Sequence, residues 1–267
     1  MSILLSGDFH AGLSGELYVI NKRTLMRKYR REKFNAIKFH IILGDGCFMW
    51  PNNEKNEEKI YMELLRRPFS ILSVLGNHEP IYGNIYGKDI HEIDIGIGET
   101  VYQVRSRPFV AYLKRGKIYN IDGFKFLVLG GALSVDKEDQ MQRKTWWENE
   151  YWSEKEKQDV FTLLKTENQF DYVLSHTGPE RVNKLLFQYP GNFPKLIQDE
   201  VALLNDQIDA QIQYRDWFCG HFHRDIYHFD INAQKGYQYL FRTTKILDKV
   251  DDHFVVYNEF GNTKRII

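Results

Sequence analysis

Five short strings in this chain bring together acidic, amide and imidazole side chains. They are Gly7-Asp8-Phe9-His10, Gly44-Asp45, Gly76-Asn77-His78-Glu79, Ser175-His176 and Gly220-His221-Phe222-His223. Their donors are carboxylate and amide oxygens and imidazole nitrogens, with no thiolate required. That set suits two divalent or trivalent ions, Mn2+ first, with Fe or Zn as alternatives. Singly each string is weak, because Gly-Asp is a common turn and a lone His is more often structural than a ligand. Together they hold five of the nine histidines, and each follows a short apolar run. Asp-x-His and His-x-His set two side chains on one side of an extended segment, so one strand end can supply two donors. The glycine ahead of most of these donors lets the chain turn sharply beside a metal.

The chemistry such a cluster fits is hydrolysis of a phosphate ester. The ester is anionic and repels a nucleophile. Two cations roughly 3.5–4 Å apart neutralise the phosphoryl oxygens and lower the pKa of a shared water toward neutrality. The leaving alkoxide then needs a proton, which an imidazole with an ordinary pKa near 6.5 can supply.

These strings need strand ends to hold them. Ile3 to Ser6, Phe39 to Leu43 and Ser70 to Leu75 read as buried strands, each ending in Gly plus Asp or Asn. Segments 22–38 and 54–66 read as helices between them. Alternation of strand and helix predicts right-handed crossovers and a parallel sheet, with ligands at the carboxyl ends of its strands. Thr100 to Val104, Phe109 to Leu113, Lys117 to Ile121 and Phe124 to Leu129 suggest antiparallel pairing and a second sheet, with a tight turn at Asp122-Gly123. Segment 153–165 reads as a helix capped by Ser153 and Glu156. Tyr172 to Leu174 is a short strand, 195–213 a helix, and Trp217 to Cys219 a strand. Asp225 to Phe229, Tyr237 to Phe241 and Phe254 to Tyr257 are expected to finish the second sheet. No linker or repeat is visible, so residues 1–267 read as one domain.

In these strings and their order the sequence resembles the calcineurin-like metallophosphoesterase superfamily. The family's GDxH, GDxx, GNH plus acid, lone His and GHxH all occur, from Asp8 to His223. The resemblance implies an α/β fold of two mixed β-sheets packed as a sandwich and flanked by helices. It implies that Asp8, His10 and His223 hold one metal, that Asn77, His176 and His221 hold the other, and that Asp45 bridges both. It implies that a metal-bridging hydroxide attacks phosphorus, while His78 stands outside the metal shell as the general acid. Phosphomonoesterase and phosphodiesterase activities both remain open, as do nuclease and nucleotide phosphodiesterase readings. A catalytically silent interaction scaffold is the non-enzyme alternative, and it predicts missing ligands. All seven ligand positions and His78 are present.

One departure argues against a protein Ser/Thr phosphatase. Those relatives continue the second motif as GDxVDRG, whereas here Phe48 and Met49 stand at the Asp and Arg positions. Glu79 is a candidate to orient His78. Segment 130–152 carries Gly130-Gly131-Ala132-Leu133-Ser134-Val135-Asp136, then Trp146, Trp147 and Trp152, a pattern similar to a bacterial and phage subgroup of the family. It reads either as a lid or side wall that stacks a flat group or as a loop packed onto the body. Loop 83–98, with His91 and Asp94, is a candidate border of the cleft.

The rest of the composition sets limits. Lys plus Arg and Asp plus Glu are 36 each, so no bulk positive charge drives nucleic-acid binding. A nucleic-acid substrate is possible but less suited than a small phosphorylated one, such as a nucleotide. Two divalent cations against two carboxylates leave about +2 at one spot. Segment 22–38 has eight basic residues against one acid, which reads as a solvated helix face or, less simply, as a dock for a phosphate-rich partner. Cys47 and Cys219 form no disulfide framework and read as small buried thiols. The first apolar run stops at Leu5 and no stretch approaches a membrane span, so a cytoplasmic protein is expected.

Overall fold

A computed structural model describes residues 2–10, 22–29, 31–48, 54–79, 89–134, 137–143, 146–187, 199–250, 253–257 and 263–265. Strands β1 (Ser2–Ser6), β2 (Ile37–Ile42), β3 (Ser70–Val74), β4 (Ile90–Ile93), β5 (Val101–Val104) and β6 (Arg107–Leu113) begin one sheet. Strands β7 (Lys117–Ile121), β8 (Phe124–Val128), β9 (Tyr172–Leu174), β10 (Asp216–Cys219), β11 (Ile226–Asp230) and β12 (Lys235–Tyr239) form the second. The chain then returns to the first sheet with β13 (Thr244–Val250), β14 (His253–Tyr257) and β15 (Thr263–Arg265). The strand orders are β15-β14-β13-β1-β2-β3-β6-β5-β4 and β11-β12-β10-β9-β8-β7.

Each sheet has a parallel centre and antiparallel edges. β1, β2, β3 and β6 run parallel, and so do β8, β9, β10 and β12. The central strands are apolar on both faces because both faces are covered. Ile3, Leu5, Ile41 and Leu72 meet Tyr119, Phe126, Tyr172 and Phe218 between the sheets. On the outer face of the first sheet, Leu4, Ile42 and Ile71 pack with Leu25 of α1 (Lys22–Lys28), Phe34 of α2 (Arg31–Ala36), and Ile60 and Leu64 of α3 (Glu54–Leu65). On the outer face of the second, Leu127, Val173 and Trp217 pack with α5 (Glu154–Leu164), α6 (Glu180–Leu186) and α7 (Glu200–Asp209). Another short helix, α4 (Lys137–Arg143), lies between β8 and α5. The Ser153–Glu156 capping box forms as the sequence indicates, and Asp199 caps α7 through Val201 N and Ala202 N.

Several boundaries differ from the sequence reading. Segment 22–38 holds two short helices and not one, with Tyr29 between them donating to Thr244 O at 3.0 Å, and its last two residues, Ile37 and Lys38, already belong to β2. The strand at Phe254 belongs to the first sheet and not the second, because β13 pairs antiparallel with β1 and carries β14 beside it. Strands β5 and β6 also extend the first sheet, and the second begins only at β7. Residues 90–93 of the expected loop 83–98 are the edge strand β4, and residues 83–88 lie outside the described set. The Asp122-Gly123 turn has φ of 51° and 85°, the left-handed pair a tight hairpin uses. Among the described residues no helix is long and apolar enough to cross a membrane.

His40 on β2 gives the fold a pH dependence. It is 1% exposed; Nε2 lies 2.9 Å from Ser6 Oγ and Nδ1 has no hydrogen-bond partner. Burial, with the nearby Arg67 charge, pushes its pKa down to about 3. Above an unfolded value near 6.5 the ring is neutral in both states and costs nothing. As pH falls below that value, the unfolded chain takes a proton that the folded chain refuses, so stability is lost until the folded pKa is reached. His40→Gln should therefore remove about 2 kcal/mol of the stability lost by the metal-free protein between pH 7 and pH 5 in urea unfolding. Parallel pH slopes for the two proteins would contradict this.

Candidate active site

All five strings follow parallel strands, β1, β2, β3, β9 and β10, and so gather at one end of the sandwich. The backbone there is bent tightly. Of seven described non-glycine residues with positive φ, five are here: His10, Asp45, Cys47, His221 and His223. Such conformations persist where the surroundings enforce them, typically at functional sites. Two glycines are required by close approach. A Cβ on Gly44, at φ +87°, would stand 2.2 Å from His176 Nδ1, and one on Gly220 would stand 2.1 Å from Asp8 Oδ1.

Asp8 and Asp45 are the buried anions at the centre, 1% and 2% exposed. Asp8 Oδ1 accepts the His221 backbone N–H at 2.7 Å, and Asp45 Oδ1 accepts that of His78 at 2.9 Å. The other oxygen of each faces imidazoles. His223 Nε2 and His10 Nε2 lie 3.0 and 3.8 Å from Asp8 Oδ2, and His176 Nε2 lies 3.2 Å from Asp45 Oδ2. His10 Nε2 also lies 3.9 Å from Asp45 Oδ2, so this ring looks toward both carboxylates. Asn77 Oδ1 is 3.0 Å from His176 Nε2, whose Nδ1 lies 2.8 Å from Leu43 O. The rings of His176 and His221 are 5.0 Å apart between centroids. His223, the most exposed of the group, stacks on Phe241 at 4.7 Å.

Charge follows this layout. Burial alone would raise the Asp45 carboxyl, but the charges of His176, His78 and His10 hold it well below the carboxylate range. Asp8 is likewise lowered against burial, chiefly by His176. In return the His176 ring, which burial would discharge, is raised to about 10 by Asp45 and Asp8, and His10 to about 9 by Asp8 and Asp45. Burial and the His176 charge push His221 down to about 3, leaving it neutral.

The donors fit cations. The ligand atoms of Asp8, His10 and His223 all lie within 4.8 Å of one another, and so do those of Asp8, Asp45 and His176. Asp8 Oδ2 is buried, and the His223 Nε2 at 3.0 Å is not aligned to donate a regular hydrogen bond to it. The Nε2 atoms of His10 and His223 face each other at 3.0 Å, where at most one can donate. A cation would satisfy all three atoms at once. Both described cysteines are free and buried, and the Cys47 thiol is pushed well up by burial and by Asp45. Cys47 Sγ donates to His78 O at 3.2 Å, as a packing thiol does.

Other expectations resolve differently. Glu79 does not orient His78 through the contact it displays; its Oε1 accepts Gly46 N–H at 3.0 Å and fixes the Asp45 turn. Phe48 is buried against Phe9, with ring centroids 5.5 Å apart, so an apolar ring fills the position where the protein phosphatases carry an acid. Met49 lies outside the described residues, as do Val135 and Asp136. Trp152 is buried and donates to Gly130 O at 2.8 Å, which is packing. Trp146 is half-buried and donates to Glu150 Oε1 at 2.6 Å. His91 and Asp94 lie at β4, three strands from β3. No sequence pattern singles out Leu43 O, Phe241 or Glu150; each acts across the fold, without a local signal to announce it.

Fold and cluster together define a metal-dependent phosphoester hydrolase. The model of the calcineurin-like phosphoesterase family matches residues 1–225, and the chain belongs to that family. A dimetal phosphatase from Danio rerio shares the fold at 11% identity and a TM-score of 0.50, over 100% of this chain and 96% of its own. So does the Plasmodium protein GAP50, described as the anchor in the inner membrane complex, at 9% identity and 0.50, over 99% and 88%. The chain spans about half the length of the nucleotidases it matches; for one from Candida albicans the values are 46% of that protein, 92% of this chain, 14% identity and 0.43. No curated protein matches the sequence.

Proposed function

We propose that the protein hydrolyses a small phosphorylated substrate with two metal ions, Mn2+ or otherwise Fe or Zn. In this reading Asp8, His10 and His223 hold one ion, Asn77, His176 and His221 the other, and Asp45 is shared. The observation that carries it is the meeting of Asp8, His10, Asp45, His176 and His223, drawn from both sheets, with ligand atoms close enough to share a cation and with Asp8 Oδ2 buried among them. Two carboxylates, an amide oxygen and four imidazoles, with the nearby thiol kept protonated, form a donor set for borderline metals. When bound, the ions supply positive charge against the phosphoryl oxygens and lower the pKa of water.

The protein's own groups do the rest. The two carboxylates stay ionised at neutral pH because the imidazoles around them favour the charged form. Leu43 O orients the His176 ring, and Phe241 holds the plane of His223. His78 is partly exposed beside His10, with ring centroids 5.7 Å apart. Its backbone grips Asp45 and its imidazole takes no part in that bond, which suits the ring to protonate the leaving oxygen.

The fold alone would not separate an enzyme from an anchor, since proteins of both descriptions share it. The complete donor set favours the enzyme. The test is a panel of aryl phosphate monoesters and diesters, nucleotides, cyclic nucleotides and a phosphopeptide, with Mn2+ added. Turnover of small esters, abolished by chelator and restored by metal, is expected. Metal bound without turnover of any ester would favour the scaffold.

A further inference from the structure

Three residues of segment 130–152, Ser134, Trp146 and Glu150, form a polar chain that ends on one proposed ligand. Asn77 Nδ2 donates to Ser134 Oγ at 3.1 Å. Ser134 Oγ donates to Glu150 Oε2 at 2.9 Å. Trp146 Nε1 donates to Glu150 Oε1 at 2.6 Å. Asn77, Ser134 and Glu150 are 2%, 2% and 0% exposed, so bulk water does not reach in to break the order. The main chain of Glu150 is itself held, since Arg115 Nη1 donates to Glu150 O at 3.1 Å while Arg115 Nε pairs with Glu156 at 2.8 Å.

The chain has a direction set by which groups can only give and which can only take. An indole N–H only donates, and an ionised carboxylate only accepts; burial raises the Glu150 carboxyl to about 7, so the order described is that of the ionised form, above that pH. The single Ser134 proton is therefore spent on Glu150, and Ser134 is left to accept from Asn77. An asparagine side chain has two ends of nearly equal size, only one of which can ligate a cation. The bond to Ser134 holds the NH2 end away and turns Oδ1 toward His176 and the metal cluster.

We propose that Ser134 and Glu150 are positioning residues that fix the amide of Asn77 with its oxygen toward the metal site. This rests on the reading of Asn77 as a metal ligand. Outer partners of this kind change metal affinity about 10–100-fold.

Glu150→Gln is the sharpest probe, because it keeps shape and reverses direction. Trp146 can only donate, so the new amide must turn its oxygen to Trp146 and its NH2 to Ser134. Ser134 then gives its own proton to Asn77, and the Asn77 amide is driven to rotate. Calorimetric titration of the chelator-stripped protein with Mn2+ reads the result. Wild type is expected to bind two ions. Glu150→Gln should bind one as wild type does and the other about 10–100-fold more weakly. Ser134→Ala should shift the same ion in the same direction, and Ser134→Thr, which keeps the hydroxyl, should restore it. Thermal melting of the stripped proteins checks that each is folded. Wild-type affinity for both ions in Glu150→Gln and Ser134→Ala, while Asn77→Ala loses one, would overturn the positioning role alone. Two-ion binding undisturbed in Asn77→Ala would overturn the metal assignment and the positioning role with it.

Discussion

Asp45→Asn is expected to empty the metal centre while leaving the fold in place. The substitution keeps an oxygen to accept the His78 N–H, now made at 2.9 Å, so the turn after β2 retains its anchor. What it removes is the charge that both ions would share. A supporting hydrogen bond alone is worth about 10–100-fold in metal affinity. A carboxylate that serves two ions should cost more than about 10²-fold at each, and turnover should fall with the loss of the second metal. Metal analysis of the purified variant, beside its melting curve, is the measurement. A variant with two ions bound and unchanged turnover would show that Asp45 is not the shared ligand.

His78→Ala is expected to do the reverse, keeping metal and losing rate. The backbone of His78, not its ring, holds Asp45, so truncating the side chain leaves that bond intact. A general acid is worth typically about 10²–10⁴-fold. The loss should be largest for alkyl esters, whose leaving oxygens need a proton. It should be small for nitrophenyl esters, whose leaving groups depart as anions. Equal losses on both, with metal retained, would assign His78 to binding phosphate and not to proton transfer.

The difference between these variants reflects how the site is legible in the sequence. Each proposed ligand stands directly after an apolar strand, so the strand ends and the donors announce one another. The apolar runs and the glycines that close them are enough to place Asp8, Asp45 and Asn77 at the carboxyl ends of parallel strands. The order of those strands is not written in the same way. β13 is central, with Ile246 buried on one face and Leu247 on the other, yet Lys245, Asp248 and Lys249 break its pattern. β14 reads as part of the second sheet because nothing in Phe254 to Tyr257 states which partner it pairs with. The chain from Trp146 through Glu150 and Ser134 to Asn77 is hidden for a related reason. It joins residues 57 and 16 positions apart by single hydrogen bonds, and only the folded chain brings them together. Glu79 shows the limit of adjacency: its place beside His78 suggests one partner, while the contact seen in the fold is its Oε1 accepting from Gly46 N–H.

The central claim is that one cluster of side chains from two sheets holds two ions. Anomalous diffraction from crystals grown with Mn2+ tests it most directly. The account predicts two peaks, one touching Asp8, His10 and His223, the other touching Asn77, His176 and His221, with Asp45 reaching both. A single peak, or peaks that leave Asp45 on one ion only, would contradict it.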